Sequence, residues 1–273
     1  VGSEMCIRDR TYFTGGIDSL DSDYASAFNY KIQALFFKLC YWVADSCIIV
    51  SQSDLKNIFK VSSLKKKLSY SEHVINTKLF IADVPKEKIF TSIVWMGDEG
   101  NVVRKGVDKA LQIFAELKKI PEFVDYRFVI IGRKGEGEVL VRSIIDKYNL
   151  KGSVELKGEV SEEDKINLLK QSKYYFQLSL YEGFGLAALE ALCANNIIIH
   201  SGKGGLANPI YKEQLLFDID NDFDSELLKL VNKLACFTPI TSYDNLLEYY
   251  DIQRRKDDFE AIIVNGKSNY KLK

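Results

Sequence analysis

The sequence predicts an α/β fold built on a parallel, doubly wound sheet, and two observations carry that prediction. From residue 91 onward, short apolar strands alternate with helical stretches across brief turns, the pattern of βα units that feed a parallel sheet. Gly97, Gly132, Gly158 and Glu182 all fall just where these strands end, at the edge where such sheets bind ligands.

The elements follow in order. Residues 34–50 are rich in Leu, Phe, Trp, Ile and Val, with Lys38 and Asp45 interrupting. The run is short for a membrane span and reads as a helix up to residue 44, a turn at Asp45-Ser46 and a strand over 47–50. Ala82-Asp83-Val84-Pro85-Lys86 reads as a linker between domains. A strand over 91–96 precedes a helix over 107–119. A strand over 127–131 precedes a helix near 138–148, and one over 153–156 precedes a helix near 162–172. Tyr174-Tyr175-Phe176-Gln177-Leu178-Ser179-Leu180 is an aromatic and apolar run that reads as a buried strand over 174–180. Residues 197–199 form the next strand and 215–217 one more, before a helix near 225–234. Stretches 243–250 and 254–264 are helical.

Composition bounds the function. A formal net charge of −1 argues against nucleic acid as the main partner. Cys40, Cys47, Cys193 and Cys236 are scattered in apolar surroundings without a C-x-x-C pair, which suits buried thiols in a reducing cytoplasm and neither a zinc site nor a disulfide frame.

The segment Tyr181-Glu182-Gly183-Phe184-Gly185-Leu186-Ala187-Ala188-Leu189-Glu190-Ala191-Leu192 carries the chemistry. Leu186, Leu189 and Leu192 recur at helical spacing, so strand, tight turn and helix follow one another. The turn sets the backbone N–H groups of Phe184 to Ala187 at a helix N-terminus, where unpaired donors and the dipole favour an anion such as phosphate. Glu182 and Glu190, with seven residues between them, resemble the E-x7-E signature of the retaining glycosyltransferases of family 4. That family has the GT-B fold of two Rossmann-like domains with parallel doubly wound sheets.

The resemblance covers roughly residues 32–234 and is strong from 104 to 205. It implies that Glu190 accepts hydrogen bonds from the ribose hydroxyls of a nucleotide-sugar, as an acceptor-only carboxylate can. It implies that Glu182 sits near the transferred sugar, with a positioning role ranked above a covalent one. Arg104-Lys105-Gly106-Val107-Asp108 resembles the family's basic K-G motif, whose lysine reaches the donor diphosphate. Lys105, with Arg104 beside it, and the turn residues Gly183, Phe184, Gly185, Leu186 and Ala187 would hold the diphosphate and stabilise the charge of the leaving phosphate. Lys157-Gly158-Glu159-Val160 is a candidate base pocket, centred on Gly158, and Gly204-Gly205 resembles a family turn near the donor. The family implies a nucleotide-diphosphate sugar as co-substrate, no resident cofactor and no metal. The acceptor would be a glycan, a lipid-linked molecule or a small molecule. The place would be the cytoplasm, with peripheral contact at the inner membrane face left open.

The first ten residues, Val1 to Arg10, back-translate as GTG GGC TCG GAG ATG TGT ATA AGA GAC AG plus one base. That string is a sequencing adapter of transposase-based library preparation, so the expectation is translated adapter over 1–10, excluded from fold reasoning. The expected division is then a remnant of an N-terminal acceptor domain with its linker over 11–85, a C-terminal donor domain over 86–236, and a helical tail over 237–273 that crosses back to the first domain.

Two departures from the family pattern stand out. Gly97 is followed by Asp98 and Glu99, where the family often has a basic residue, and Asn76 runs directly into Thr77-Lys78-Leu79-Phe80 without the usual Gly-Val-Asp. They keep open a rival reading, a non-catalytic nucleotide- or glycan-binding relative or a decayed gene product. A dinucleotide-using dehydrogenase ranks third, because Gly132-Arg133-Lys134-Gly135-Glu136-Gly137 is out of register with G-x-G-x-x-G. Asp21-Ser22-Asp23 and the acids between Asp218 and Asp224 read as solvated loops in preference to a D-x-D metal motif. His200 reads as structural, and His73 as surface or core.

Overall fold

The structure, a computed structural model, describes residues 5–6, 11–14, 27–43, 46–50, 68–81, 84–237 and 244–265. Asp21-Ser22-Asp23, the turn at Asp45, Ala82-Asp83 of the linker and most of residues 1–10 lie outside the described residues.

The first sheet has the order β1 (Met5–Cys6), β2 (Thr11–Thr14), β3 (Ser46–Ile49), β4 (Leu68–Tyr70). β1 is antiparallel to β2, and the remaining pairs are parallel. Helix α1 (Ala27–Val43) leads into β3. Ile32, Leu35, Phe36, Leu39 and Trp42 of α1 are exposed, whereas Cys47 to Val50 are buried. No helix among the described residues is long and apolar enough to cross a membrane.

The second sheet holds β5 (Glu87–Ile93), β6 (Arg127–Ile131), β7 (Val154–Gly158), β8 (Ser172–Gln177), β9 (Ile197–His200) and β10 (Leu215–Leu216). Its order is β10-β9-β8-β5-β6-β7, and every pairing is parallel. The chain starts at β5, winds outward through β6 and β7, then returns to the other side of β5 with β8. The strand order therefore reverses between β5 and β8, and a crevice opens there at the carboxyl edge. The predicted doubly wound sheet is present.

Helices cover both faces. On one face, α3 (Val107–Leu117), α4 (Gly137–Lys147) and α7 (Phe223–Cys236) pack over a core with Phe90 at its centre. The Phe90 ring stacks on Tyr174 at 4.6 Å and on Phe176 at 5.1 Å between centroids. These contacts add to the apolar area buried. On the other face, α5 (Glu162–Gln171) and α6 (Leu186–Cys193) bury Leu169, Leu189 and Leu192 against Tyr175 and Ile198. Leu186 is exposed, so the leucine periodicity of the signature helix serves the core at only two of its three positions.

Several boundaries differ from expectation. The strand expected over 91–96 is β5, which begins and ends earlier. Val94 and Met96 still donate to Ile131 O and Arg133 O, both at 2.9 Å, while the backbone bends out of the ladder. The strand expected over 174–180 is β8, which starts at Ser172 directly after α5 and releases Leu178, Ser179 and Leu180 into the signature loop. Between the first strand and the first expected helix, an additional short helix α2 (Glu99–Arg104) forms. The strands expected over 47–50, 153–156 and 215–217 shift or shorten by one or two residues, within the usual fraying of ends.

The tail folds back onto the segment after β4. α8 (Asp244–Tyr249) leads to Tyr250, whose carbonyl accepts from Ile75 N at 2.9 Å. From α9 (Ile252–Asn265), Arg254 and Arg255 both reach Glu72 O at 3.3 Å. The Glu72 carboxylate is buried and accepts from the hydroxyls of Tyr70 and Tyr250 and from Asn208 Nδ2. A buried carboxylate is tolerated only with such a set of donors.

Candidate functional site

The signature loop 178–185 lies at the strand-order reversal, and the residues around it follow from local backbone demands. Gly106 has φ +69°, and a β-carbon there would run into the Leu178 carbonyl. The absence of a side chain lets the turn before α3 lie against the end of β8. Leu180 N then donates to Arg104 O at 2.8 Å, which locks the two loops together. On the far side, Gly205 N donates to Glu182 O at 2.6 Å, and a β-carbon at Gly204 would collide with that same carbonyl. Gly204-Gly205 thus packs on the signature turn.

These constraints aim the Glu182 side chain at Lys105. Lys105 Nζ lies 2.8 Å from Glu182 Oε2. The same oxygen accepts from Gln177 Nε2 at 3.0 Å and from Ser179 Oγ at 3.2 Å. Behind them, Tyr175 donates its hydroxyl proton to Gln177 Oε1 at 3.1 Å and itself accepts from Ile93 N at 3.3 Å. Tyr175, Gln177 and Ser179 alternate along the chain, so they share one face of the strand and its extension. All three are buried. A carboxylate oxygen with three donors is an anchored group.

Glu190 lies on α6 and pairs with Lys165 on α5. The ammonium is 2.9 Å from Oε1 and 2.9 Å from Oε2, and 2.7 Å from Glu162 Oε1. Burial raises the Glu190 pKa, and the hydrogen bond and charge of Lys165 oppose that rise. Burial also disfavours the charged form of Lys165, but its bonds to Glu162 and Glu190 outweigh it and raise its pKa. Beneath, Lys86 Nζ donates to Lys170 O at 2.9 Å, to Leu169 O at 3.4 Å and to Ala194 O. One lysine therefore meets the C-terminal ends of both α5 and α6, where carbonyls lack partners and the dipoles are negative. Burial lowers its pKa to about 8.

The structure brings together Lys105, Glu182, Gly183, Phe184 and Gly185, with Leu186 and Ala187 opening α6. Gly185, at φ +89°, is its N-cap and supplies no side-chain cap. Among the described residues, no N-cap side chain closes the start of α6. Phe184 is buried against the His73 ring at 5.3 Å and Tyr250 at 6.2 Å. Arg104 ends α2, and its guanidinium is held by Asn101 Oδ1 at 2.6 Å, so its side chain does not join the Lys105–Glu182 pair. Asp98 is the N-cap of α2, accepting from Asn101 N at 2.6 Å. An acid there stabilises the helix start, and its carboxylate is turned to that task. Gly158 closes β7 with φ +78°, and the methylenes of Lys134 lie over it. His200 ends β9, paired in register with Gln177, and is buried. Asp218 accepts from Asp220 N and Asn221 Nδ2, and Asp222 caps α7. Among the described residues, no three His, Cys, Asp or Glu side chains form a metal-ready cluster.

Sequence reasoning missed Lys165, Lys86 and the Tyr175–Gln177–Ser179 chain. The last had a visible signal, since Gln177 and Ser179 are polar residues two apart in an otherwise apolar run.

Known proteins share this architecture. Residues 100–235 match the family model described as glycosyl transferases group 1. A GDP-mannose:cellobiosyl-diphosphopolyprenol alpha-mannosyltransferase of Xanthomonas oryzae pv. oryzae is 32% identical over 163 residues, 52% of this chain and 40% of that protein. A phosphatidylinositol N-acetylglucosaminyltransferase component of Arabidopsis thaliana is 25% identical over 215 residues, 77% of this chain and 46% of that protein. The chain thus spans less than half the length of these relatives. The crystal structure of Anabaena HepE in complex with UDP-glucose superposes with a TM-score of 0.72 at 13% identity, covering 93% of this chain and 72% of that one. The fold is GT-B, and residues 100–235, just under half of this chain, are similar to the glycosyl transferases group 1.

Proposed function

We propose that the chain carries the donor side of a retaining, family 4-type glycosyltransferase, which moves a sugar from a nucleoside diphosphate to a glycan, lipid-linked or small-molecule acceptor. The observation that carries this reading is the Lys105–Glu182 pair, set at the strand-order reversal beside the uncapped N-terminus of α6. In this reading Lys105 and the first N–H groups of α6 take the diphosphate, and they stabilise the negative charge that develops on it as the glycosidic bond breaks. Glu190 accepts from the ribose hydroxyls. Glu182, fixed by Gln177 and Ser179, positions the transferred sugar. Gly158, with the methylenes of Lys134 over it, lies at the edge of the base site, and Arg104 adds to the positive field. The charges needed are supplied by protein groups, without a resident cofactor.

Support for the donor class comes from the relatives' names: a GDP-mannose-dependent enzyme in one case and a UDP-glucose complex in another. Two relatives act on diphosphopolyprenol and phosphatidylinositol substrates by name. Donor domain over 86–236, acceptor-domain remnant over 11–85 and cytoplasmic placement belong to the same reading. Asp98 caps α2 and Arg104 is held by Asn101, so the departure at this position stays the observation that favours the rival reading, a non-catalytic relative.

The test is calorimetric titration of UDP-glucose and GDP-mannose into the chain and its Glu190→Ala variant. The variant is expected to lose about 1.5–3 kcal/mol, the worth of a charged hydrogen bond. Unchanged binding would remove Glu190 from the ribose site.

A further inference from the structure

We propose that Lys165 is a positioning residue for the donor nucleotide, holding the Glu190 carboxylate in the charge state and orientation that a ribose diol requires. The inference rests on the ribose reading of Glu190. Lys165 itself touches neither ribose nor phosphate in it.

The geometry is specific. Lys165 Nζ is equidistant from both carboxylate oxygens, at 2.9 Å each. Its hydrogen bond goes to Oε1, and Oε2 is held as an ion-pair contact, so the lone pairs of Oε2 stay available for ribose hydroxyls. The ion pair is well shielded, with side-chain exposure of 16% on both partners. The two partners sit on different helices, α5 and α6, whose C-terminal ends Lys86 ties together from below. The helix pair is therefore fixed at both levels, and the orientation of Glu190 is set before any ligand arrives. Such preorganisation lowers the cost of binding.

Charge is the second reason. The groups that bear on Glu190 are Lys165 and Glu162 from α5, Tyr175 from β8 and Cys193 from its own helix. Only Lys165 is cationic. Without it, burial and the nearby Glu162 both push Glu190 toward the neutral acid. A neutral acid offers one acceptor fewer to the diol.

The experiment compares the full chain with Lys165→Met, Lys165→Arg and Glu190→Gln variants. In the absence of nucleotide, ¹³C-carboxyl titration by NMR is expected to show Glu190 titrating at higher pH in Lys165→Met than in wild type, with Lys165→Arg restoring it. Binding of UDP-glucose and GDP-mannose, whose diphosphates carry no group that titrates in this range, is measured from pH 8 to pH 6 and is expected to stay level in wild type and Lys165→Arg. In Lys165→Met it should weaken by about tenfold across that range, toward but not beyond the pH-independent affinity of Glu190→Gln. An unmoved Glu190 titration in a folded Lys165→Met chain would overturn the role of Lys165 whatever the nucleotide data. A moved titration, with Glu190→Gln binding as tightly as wild type, would overturn the ribose reading instead and the donor role with it.

Discussion

Lys105 and Glu182 meet at 2.8 Å across the point where the sheet reverses its strand order. One residue comes from the turn between α2 and α3 and the other from the loop after β8, so the pair closes the crevice between the two halves of the sheet. Glu182 keeps Gln177 and Ser179 as donors if the lysine is removed, and the loop should hold its shape. Lys105→Met is therefore expected to fold and to lose affinity for UDP and GDP by about 1.5–3 kcal/mol while leaving uridine and guanosine nearly unaffected. Parallel titrations of diphosphates and nucleosides decide it. Equal losses for both would take Lys105 out of the phosphate site.

The sequence showed the alternation of strands and helices, the parallel sheet and the individual residues Glu182, Glu190 and Lys105, because each is written in local spacing. Pairings are another matter. Lys165 stands 25 residues from Glu190, and only the packing of α5 on α6 brings them together. Asp98 looked like a displaced site residue because the helix it caps is six residues long and contains Gly100, a poor helix former. The strand ends at 93 and 177 were misplaced because apolar residues continue into the loops. Val94 and Met96 stay buried and hydrogen-bonded after the ladder has ended, so hydrophobicity alone does not mark the exit.

Lys86 joins three backbone carbonyls at the ends of α5 and α6. A Lys86→Met variant keeps the methylene packing and leaves those carbonyls without their cation. Destabilisation of about 1–3 kcal/mol is expected, the cost of leaving buried acceptors unpaired. Because Lys86 fixes the helices that carry Lys165 and Glu190, nucleotide affinity should fall along with stability. Urea unfolding and calorimetry on the same samples read both. A variant as stable as wild type would show that water replaces the ammonium without loss.

Acid should weaken the fold through His73 and His200. Burial pushes both pKa values down from 6.5 to about 4, and the Arg255 charge adds to the effect at His73. In the window between those values the unfolded chain binds protons that the folded chain refuses. Their contribution is therefore fully present above pH 6.5 and is lost as pH falls toward 4, at up to about 1.4 kcal/mol per pH unit for each histidine. Glu190 and Asp108, whose pKa values burial raises, take up protons on folding and act with the opposite sign in acid, so the wild-type profile alone mixes the two. The difference between wild type and a His200→Leu variant isolates one histidine. Relative to wild type, the variant should gain about 1 kcal/mol between pH 7 and pH 5.5 in urea unfolding. A difference that stays flat over that range would mean that His200 takes its proton without opening the core around Tyr211.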